Sequence, residues 1–153
     1  MSVQHDILVF SVPHTGTHFI KYMLEKNGFM PWVRHVNAWS GEDCICPIRD
    51  PYETYCTWVT RDRKQDFYEQ WETLNRICTQ GKGFVLPIDT EDRGKRLIDL
   101  SLKLNREIKT DWNPENVTDR TKIRPVVDLS DIYNLQVVRD YYRSQENGLQ
   151  TQG

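Results

Sequence analysis

The chain has 153 residues, a length typical of one domain with a substantial buried core. Its formal net charge of −2 gives no general attraction to nucleic acid or to a membrane surface, so neither is expected as a partner. No segment reaches the roughly 20 apolar residues of a membrane span, and the polar start MSVQHD lacks a signal-peptide pattern. We expect one domain over residues 1–145 that acts in the cytoplasm, and a flexible tail over residues 146–153.

Apolar runs alternate with helical periodicities along the chain. The runs predicted as strands cover residues 7–10, 31–36, 44–48 and 84–88. The segments predicted as helices cover residues 17–26, 51–59, 67–78, 91–104 and 131–145. Residues 110–124 show no periodicity and are expected to form a surface loop. This alternation predicts an α/β domain with three layers, α/β/α, around a mostly parallel sheet.

The four cysteines are Cys44, Cys46, Cys56 and Cys78, and none forms a C-x-x-C pair. Cys44 and Cys46 alternate on a predicted strand, so their side chains share a face. We expect reduced thiols that pack in the core. A zinc site made by Cys44, Cys46 and His35 is the less favoured alternative, and no metal is expected.

The segment that follows the first predicted strand reads SVPHTGTHF over residues 11–19. A strand that turns through small residues into a helix start directs backbone N–H groups and the helix dipole at one point. This arrangement is typical of a phosphate or sulfate site. It is not a Walker A loop, because the loop has one glycine, Gly16, and no lysine.

A second candidate anion site follows the third predicted strand, where residues 49–57 read RDPYETYCT. Pro51 is typical of a first helical position. An arginine and a hydroxyl, Arg49 and Thr57, near a helix start would suit a dianionic phosphate. The alternative is an Arg49 paired with a neighbouring carboxylate and a Thr57 packed in the helix. Ligands of parallel sheets bind at the carboxyl ends of strands, where both segments are expected to lie.

Taken in order, the two segments resemble the motifs of the PAPS-dependent sulfotransferases, which use 3′-phosphoadenosine 5′-phosphosulfate. Residues 11–19 resemble the family's 5′-phosphosulfate loop, T-x-P-K-S-G-T-x-W, and residues 49–57 resemble its 3′-phosphate motif, R-N-P-x-D-x-x-x-S. Arg34 and His35 fall where many members carry a T-H pair after the second strand. The resemblance covers most of the chain and implies a P-loop NTPase-like fold in a short, divergent member.

The resemblance also implies roles for individual residues. The 5′-phosphosulfate and the adenine would be held by His14, Thr15, Gly16, Thr17, His18 and Phe19. Arg49 and Thr57 would hold the 3′-phosphate. His35 would be the general base that takes a proton from a hydroxyl or amine of a small-molecule or glycan acceptor. Since fixed amides and cations can carry the charge of the transfer, no metal is expected.

His14 is the second candidate catalytic residue, because it stands where the family usually has a lysine that stabilises the leaving phosphate. Histidine is cationic only part of the time near neutral pH. A non-catalytic nucleotide- or protein-binding module on the same fold therefore stays open. So does a P-loop kinase or NTPase with Asp89 as a magnesium ligand. Because the chain is short for this family, a homo-oligomer that completes the acceptor pocket is one expectation. A viral gene product that acts in the host cytoplasm is another.

Overall fold

The computed structural model describes residues 6–12, 17–58, 64–88, 93–108 and 126–150. The strands are β1 Ile7–Ser11, β2 Pro31–His35, β3 Cys44–Ile48 and β4 Gly83–Pro87. They form a four-stranded, all-parallel sheet in the order β2-β1-β3-β4. The helices are α1 Thr17–Lys26, α2 Pro51–Trp58, α3 Lys64–Thr79, α4 Arg93–Leu104, α5 Ser130–Tyr133 and α6 Gln136–Gln150, with a short 3₁₀ turn at Val36–Ala38.

Helices cover both faces of the sheet. Because side chains alternate along a strand, Val9 of β1 points to one face and Phe10 to the other. Val9 packs with α1 and α4 in one core cluster. Phe10 packs with α3, α5 and α6 in the second cluster, where Trp71 is the largest fully buried side chain. All five residues of β3 are buried, as expected for a strand covered on both sides. The predicted α/β class with a parallel sheet is confirmed.

The order of the strands creates a point in the sheet where the chain reverses direction. The chain passes from β1 through α1 to β2 on one side, and later from β3 through α3 to β4 on the other. Since parallel crossovers are right-handed, opposite directions place α1 and α3 on opposite faces, as observed. The reversal lies between the adjacent strands β1 and β3. Ligands of parallel sheets bind outside the carboxyl ends of the strands at such a point.

The predicted elements agree closely with the structure except at the C-terminus. One predicted helix over residues 131–145 is two helices, α5 and α6, separated by Asn134 and Leu135. The break is stabilised from outside, because the Asn75 side chain on α3 accepts a hydrogen bond from the Val137 N–H at 2.9 Å. Helix α6 continues to Gln150, so the expected tail over residues 146–153 begins inside it. The expected loop over residues 110–124 lies outside the described residues.

Arg96 of α4 lies against β4, the last strand of the described sheet. Its Nε and Nη2 atoms donate hydrogen bonds to the Val85 carbonyl at 3.0 and 2.9 Å. The guanidinium carbon lies 4.1 Å from the centroid of the Phe84 ring, and Nη1 bonds Asp99 at 3.2 Å. A single side chain therefore bridges strand, aromatic ring and helix at the edge of the sheet.

Three thiols meet where β3, α3 and β4 pack together. The sulfurs of Cys44 and Cys46 lie 3.7 Å apart and both residues are buried, as predicted; Cys78 of α3 is half-buried and contacts Cys46. The hydrogen bond between Cys44 and Cys46 raises the pKa of Cys46 and lowers that of Cys44. His35 lies two strands away on β2. Among the described residues, no three metal-ligating side chains are grouped closely enough to hold a metal.

Replacing Gly83 with alanine is expected to lower the free energy of unfolding by about 1–3 kcal/mol. A Cβ atom at Gly83 would lie 2.9 Å from the Cys46 sulfur and 3.1 Å from the Cys78 sulfur. These distances are too short for a buried contact, so β4 or the thiols must shift. Urea unfolding followed by circular dichroism measures the loss. The Cys78→Ala background should recover part of the loss, and an unchanged loss there would show that the Cys78 sulfur does not contribute to the crowding.

Candidate functional site

The ends of three neighbouring strands define the candidate site. In the β1–β2 register Ser11 pairs with His35, so both strands end at the same level. Strand β3, on the other side of β1, ends at Ile48 and is followed directly by Arg49. The β1–β3 register places Arg49 two residues beyond the level of His35, so with strands about 4.8 Å apart the two backbones are separated by roughly 12 Å across β1. The structure thus brings the predicted base and the predicted phosphate-binding arginine to one edge of the sheet.

Two helices begin at this edge. Helix α1 starts at Thr17, a few residues after β1 ends, and α2 starts at Pro51, two residues after Arg49. Backbone N–H groups at a helix start attract anions, because the first turn leaves them without acceptors in the helix. At α2, Pro51 has no N–H and the N–H groups of residues 52–54 already donate within the protein. The edge therefore combines the start of α1 with Arg49, on either side of the reversal point between β1 and β3.

The predicted site residues differ in how fully the structure describes them. His35 is exposed and Arg49 is half-buried. Phe19, the expected adenine-stacking ring, is half-buried and packs against the core cluster of α1 and α4. The backbones of Thr17, His18 and Thr57 are described without their side chains, and three loop residues lie outside the described residues: His14, Thr15 and Gly16.

Asp50 organises the start of α2. Its Oδ2 atom accepts a hydrogen bond from the Glu53 N–H at 3.0 Å, which makes Asp50 the N-cap of the helix. Its carbonyl oxygen accepts from the Thr54 N–H at 3.0 Å and from the Thr54 hydroxyl at 2.9 Å. Thr54 is fully buried, so these bonds are shielded from solvent. The backbone that presents Arg49 is therefore fixed immediately after it.

Two tyrosines from the C-terminal helices hold the other oxygen of the same carboxylate. The hydroxyl of Tyr133 on α5 donates to Asp50 Oδ1 at 3.0 Å, and the hydroxyl of Tyr142 on α6 donates to the same atom. Tyr133 also accepts a hydrogen bond from the Tyr52 N–H at 3.3 Å. The two rings stack, with centroids 5.9 Å apart at 29°. We call these three side chains, Asp50, Tyr133 and Tyr142, the tyrosine–carboxylate cluster.

The cluster changes the acidity of Tyr133. Burial raises the pKa of this phenol well above its ordinary value of 10.0, and the negative charge of Asp50 with the hydrogen bond to it adds to the rise. The Tyr52 N–H acts in the opposite direction, and the charge of Glu53 raises the pKa further. Tyr133 is therefore a neutral donor to Asp50 throughout the neutral range.

We expect the free energy of unfolding to fall above pH 10 because of Tyr133. Its folded-state pKa lies above the unfolded value of 10.0, so its contribution is complete below pH 10 and is lost as the pH rises toward the folded pKa. The slope is at most about 1.4 kcal/mol per pH unit, reduced by solvent screening because Tyr133 is only partly buried. Urea unfolding of the native protein and of Tyr133→Phe between pH 8 and about 11.5 measures this loss. If the free energy of unfolding falls with pH equally in both proteins, Tyr133 is not its source.

The tyrosine–carboxylate cluster was not predicted from the sequence. An acidic residue before Pro51, at a predicted helix start, is a recognisable capping signal. Nothing in the sequence links Asp50 to the tyrosines, which follow 83 and 92 residues later. A cavity of about 490 Å³ lies along β4 and is lined by Cys78, Arg96 and Tyr141 among others; it does not include His35 or Arg49.

Comparisons with known proteins returned no matches. No protein-family model, no curated protein and no solved structure matches the chain. Within the described ranges, no helix is long and apolar enough to cross a membrane. The parallel α/β fold and the chemistry at its carboxyl edge are therefore the basis for assigning a function.

Proposed function

We propose that the protein is a PAPS-dependent sulfotransferase on a P-loop NTPase-like fold, which transfers a sulfuryl group to a hydroxyl or amine. One observation carries the proposal: β2, β1 and β3 are adjacent and parallel, so His35, the start of α1 and Arg49 share one edge of the sheet. These are the positions that the family resemblance assigns to the base, the 5′-phosphosulfate loop and the 3′-phosphate site. The edge is also where the chain reverses direction, a preferred place for nucleotides.

The described residues fit a cofactor with two separate phosphate groups. Helix α1 and helix α2 each begin at the edge, and Arg49 lies directly before α2. The nearest carboxylate in sequence, Asp50, is already bonded by two tyrosine hydroxyls and the Glu53 N–H. Arg49 and the amides at the start of α1 are donors of the kind that binds a polyanion.

When bound, PAPS supplies the activated sulfuryl group. The amides at the start of α1, together with the His14–Phe19 segment, would hold the 5′-phosphosulfate, and Arg49 with Thr57 would hold the 3′-phosphate. His35 is exposed at the end of β2, where an acceptor can reach its imidazole from solvent. There it would take the acceptor's proton as the general base. Fixed amides and the guanidinium stabilise negative charge at this edge, so the proposed chemistry uses no metal.

A non-catalytic nucleotide-binding module is the second candidate. The observation that favours it is His14, in place of the lysine that usually stabilises the leaving phosphate in this family. Such a module would keep Arg49 and the start of α1 as binding elements and would lack turnover. It therefore predicts the same ligand preference as the enzyme and differs only in transfer.

Titration calorimetry tests the proposal with 3′-phosphoadenosine 5′-phosphate (PAP), 5′-AMP and ATP, each with and without magnesium. We expect PAP to bind most tightly, without magnesium, because only PAP carries the 3′-phosphate. AMP is the matched control, since it differs from PAP by that group alone. A magnesium-dependent preference for ATP would replace the proposal with an NTPase. If none of the three nucleotides binds, the protein does not use PAPS and the proposal is wrong.

A further inference from the structure

We propose that Tyr133 and Tyr142 set the anion affinity of the proposed 3′-phosphate site by screening the carboxylate of Asp50. The proposal rests on the proposed function, because it concerns the affinity of Arg49 for that phosphate. It assigns to the C-terminal helices α5 and α6 a positioning role in a site otherwise built by the first half of the chain. No residue of these helices belongs to the motifs from which the function was inferred.

The placement of Asp50 creates an electrostatic problem. It directly follows Arg49 and caps α2, the helix at whose start the 3′-phosphate is proposed to bind. Two anions at one helix start repel each other. A carboxylate at this position serves α2 as an N-cap, yet opposes anion binding beside it.

The tyrosine–carboxylate cluster offers a solution to this problem. Tyr133 and Tyr142 both donate to Oδ1, while the Glu53 N–H donates to Oδ2. Each donor places a partial positive charge against the carboxylate. This charge offsets part of the repulsion that the carboxylate exerts on a neighbouring anion. The stacked rings also keep both hydroxyls on the same oxygen. The cap is retained and its charge is screened.

A merely structural role predicts something different. If the tyrosines only joined α5 and α6 to α2, their replacement by phenylalanine would lower stability and leave the affinity of the folded protein unchanged. Screening predicts lower affinity for PAP with little change for AMP, which lacks the 3′-phosphate. It further predicts that removing the charge of Asp50 restores the affinity. Asp50→Asn keeps the size of the side chain and one acceptor oxygen, which can still accept from the Glu53 N–H as the cap of α2, while the negative charge is removed.

The experiment measures PAP and AMP affinities by calorimetry in Tyr133→Phe, Tyr142→Phe, Asp50→Asn and the Tyr142→Phe/Asp50→Asn double variant. We expect each tyrosine variant to weaken PAP binding by about threefold to tenfold, and the double variant to return to the native affinity. Tyr68→Phe is the matched control, because Tyr68 bonds a different carboxylate, Glu72, within α3. Should one tyrosine variant not fold, the other carries the test.

A second readout is independent of any ligand. The ultraviolet absorbance of tyrosinate follows phenol ionisation, and Asp50→Asn should lower the pH at which Tyr133 ionises. Unchanged PAP-to-AMP affinity ratios in both tyrosine variants, with native PAP binding intact, would overturn this inference alone. Equal weakening in the Tyr142→Phe single and double variants would do the same. Failure of the native protein to bind PAP would overturn the proposed function and this inference with it.

Discussion

Replacing His35 with alanine is expected to lower the rate of sulfuryl transfer by about 10²- to 10⁴-fold, with PAP affinity retained. His35 ends β2 opposite Ser11 and is exposed, so its imidazole is available to an acceptor rather than committed to the core. Loss of a general base slows the transfer step without removing a phosphate contact, and this separates the rate from the binding constant.

The measurement is the rate of PAP release from PAPS, monitored by chromatography, for the native protein and for His35→Ala. Phenols, amines and sugars are supplied in turn as acceptors. His5→Ala is the matched control, because it removes an imidazole that belongs to neither sequence motif. Full transfer activity in His35→Ala would remove His35 from the mechanism. Absence of transfer in the native protein with PAP binding intact would favour the non-catalytic module.

Arg49→Ala is expected to weaken PAP binding by about 1.5–3 kcal/mol, because it removes a charged hydrogen-bond donor to phosphate. That corresponds to roughly a tenfold to 150-fold increase in Kd. AMP affinity should change little, since AMP lacks the 3′-phosphate. The loss should therefore appear as a fall in the preference for PAP over AMP, a ratio that general destabilisation does not alter.

Calorimetry on the native protein and the variant, at matched ionic strength, measures this ratio. Arg139→Ala on the exposed surface of α6 is the matched control for loss of a positive charge. If PAP and AMP affinities fall equally, Arg49 does not distinguish the 3′-phosphate. If neither changes, the second anion site is misplaced.

Local signals explain why much of the fold could be predicted from the sequence. The apolar run of β3 is fully buried, and Pro51 starts α2 as its position predicts. Gly81, after α3, adopts a φ of +74°, a conformation that favours glycine and explains why the helix ends there. Each of these features depends on neighbours in the chain, so periodicity and turn residues suffice to find it.

The remaining features depend on contacts between distant segments. The break between α5 and α6 depends on Asn75 from α3. The tyrosine–carboxylate cluster joins residues 83 and 92 positions apart. Neither leaves a local pattern. For the site, the sequence predicted that the segments meet at one sheet edge, since parallel strands require it; it contained no sign of the tyrosines beside Arg49.

The bridge that Arg96 forms has a consequence for self-association. An edge strand with a free carbonyl is a template for a strand from another molecule, and such pairing can grow into aggregates. At Val85 that acceptor is taken twice by one guanidinium, which also lies over Phe84. An incoming strand would have to displace a charged side chain before it could pair. Edge-to-edge association through β4 is therefore opposed at Val85.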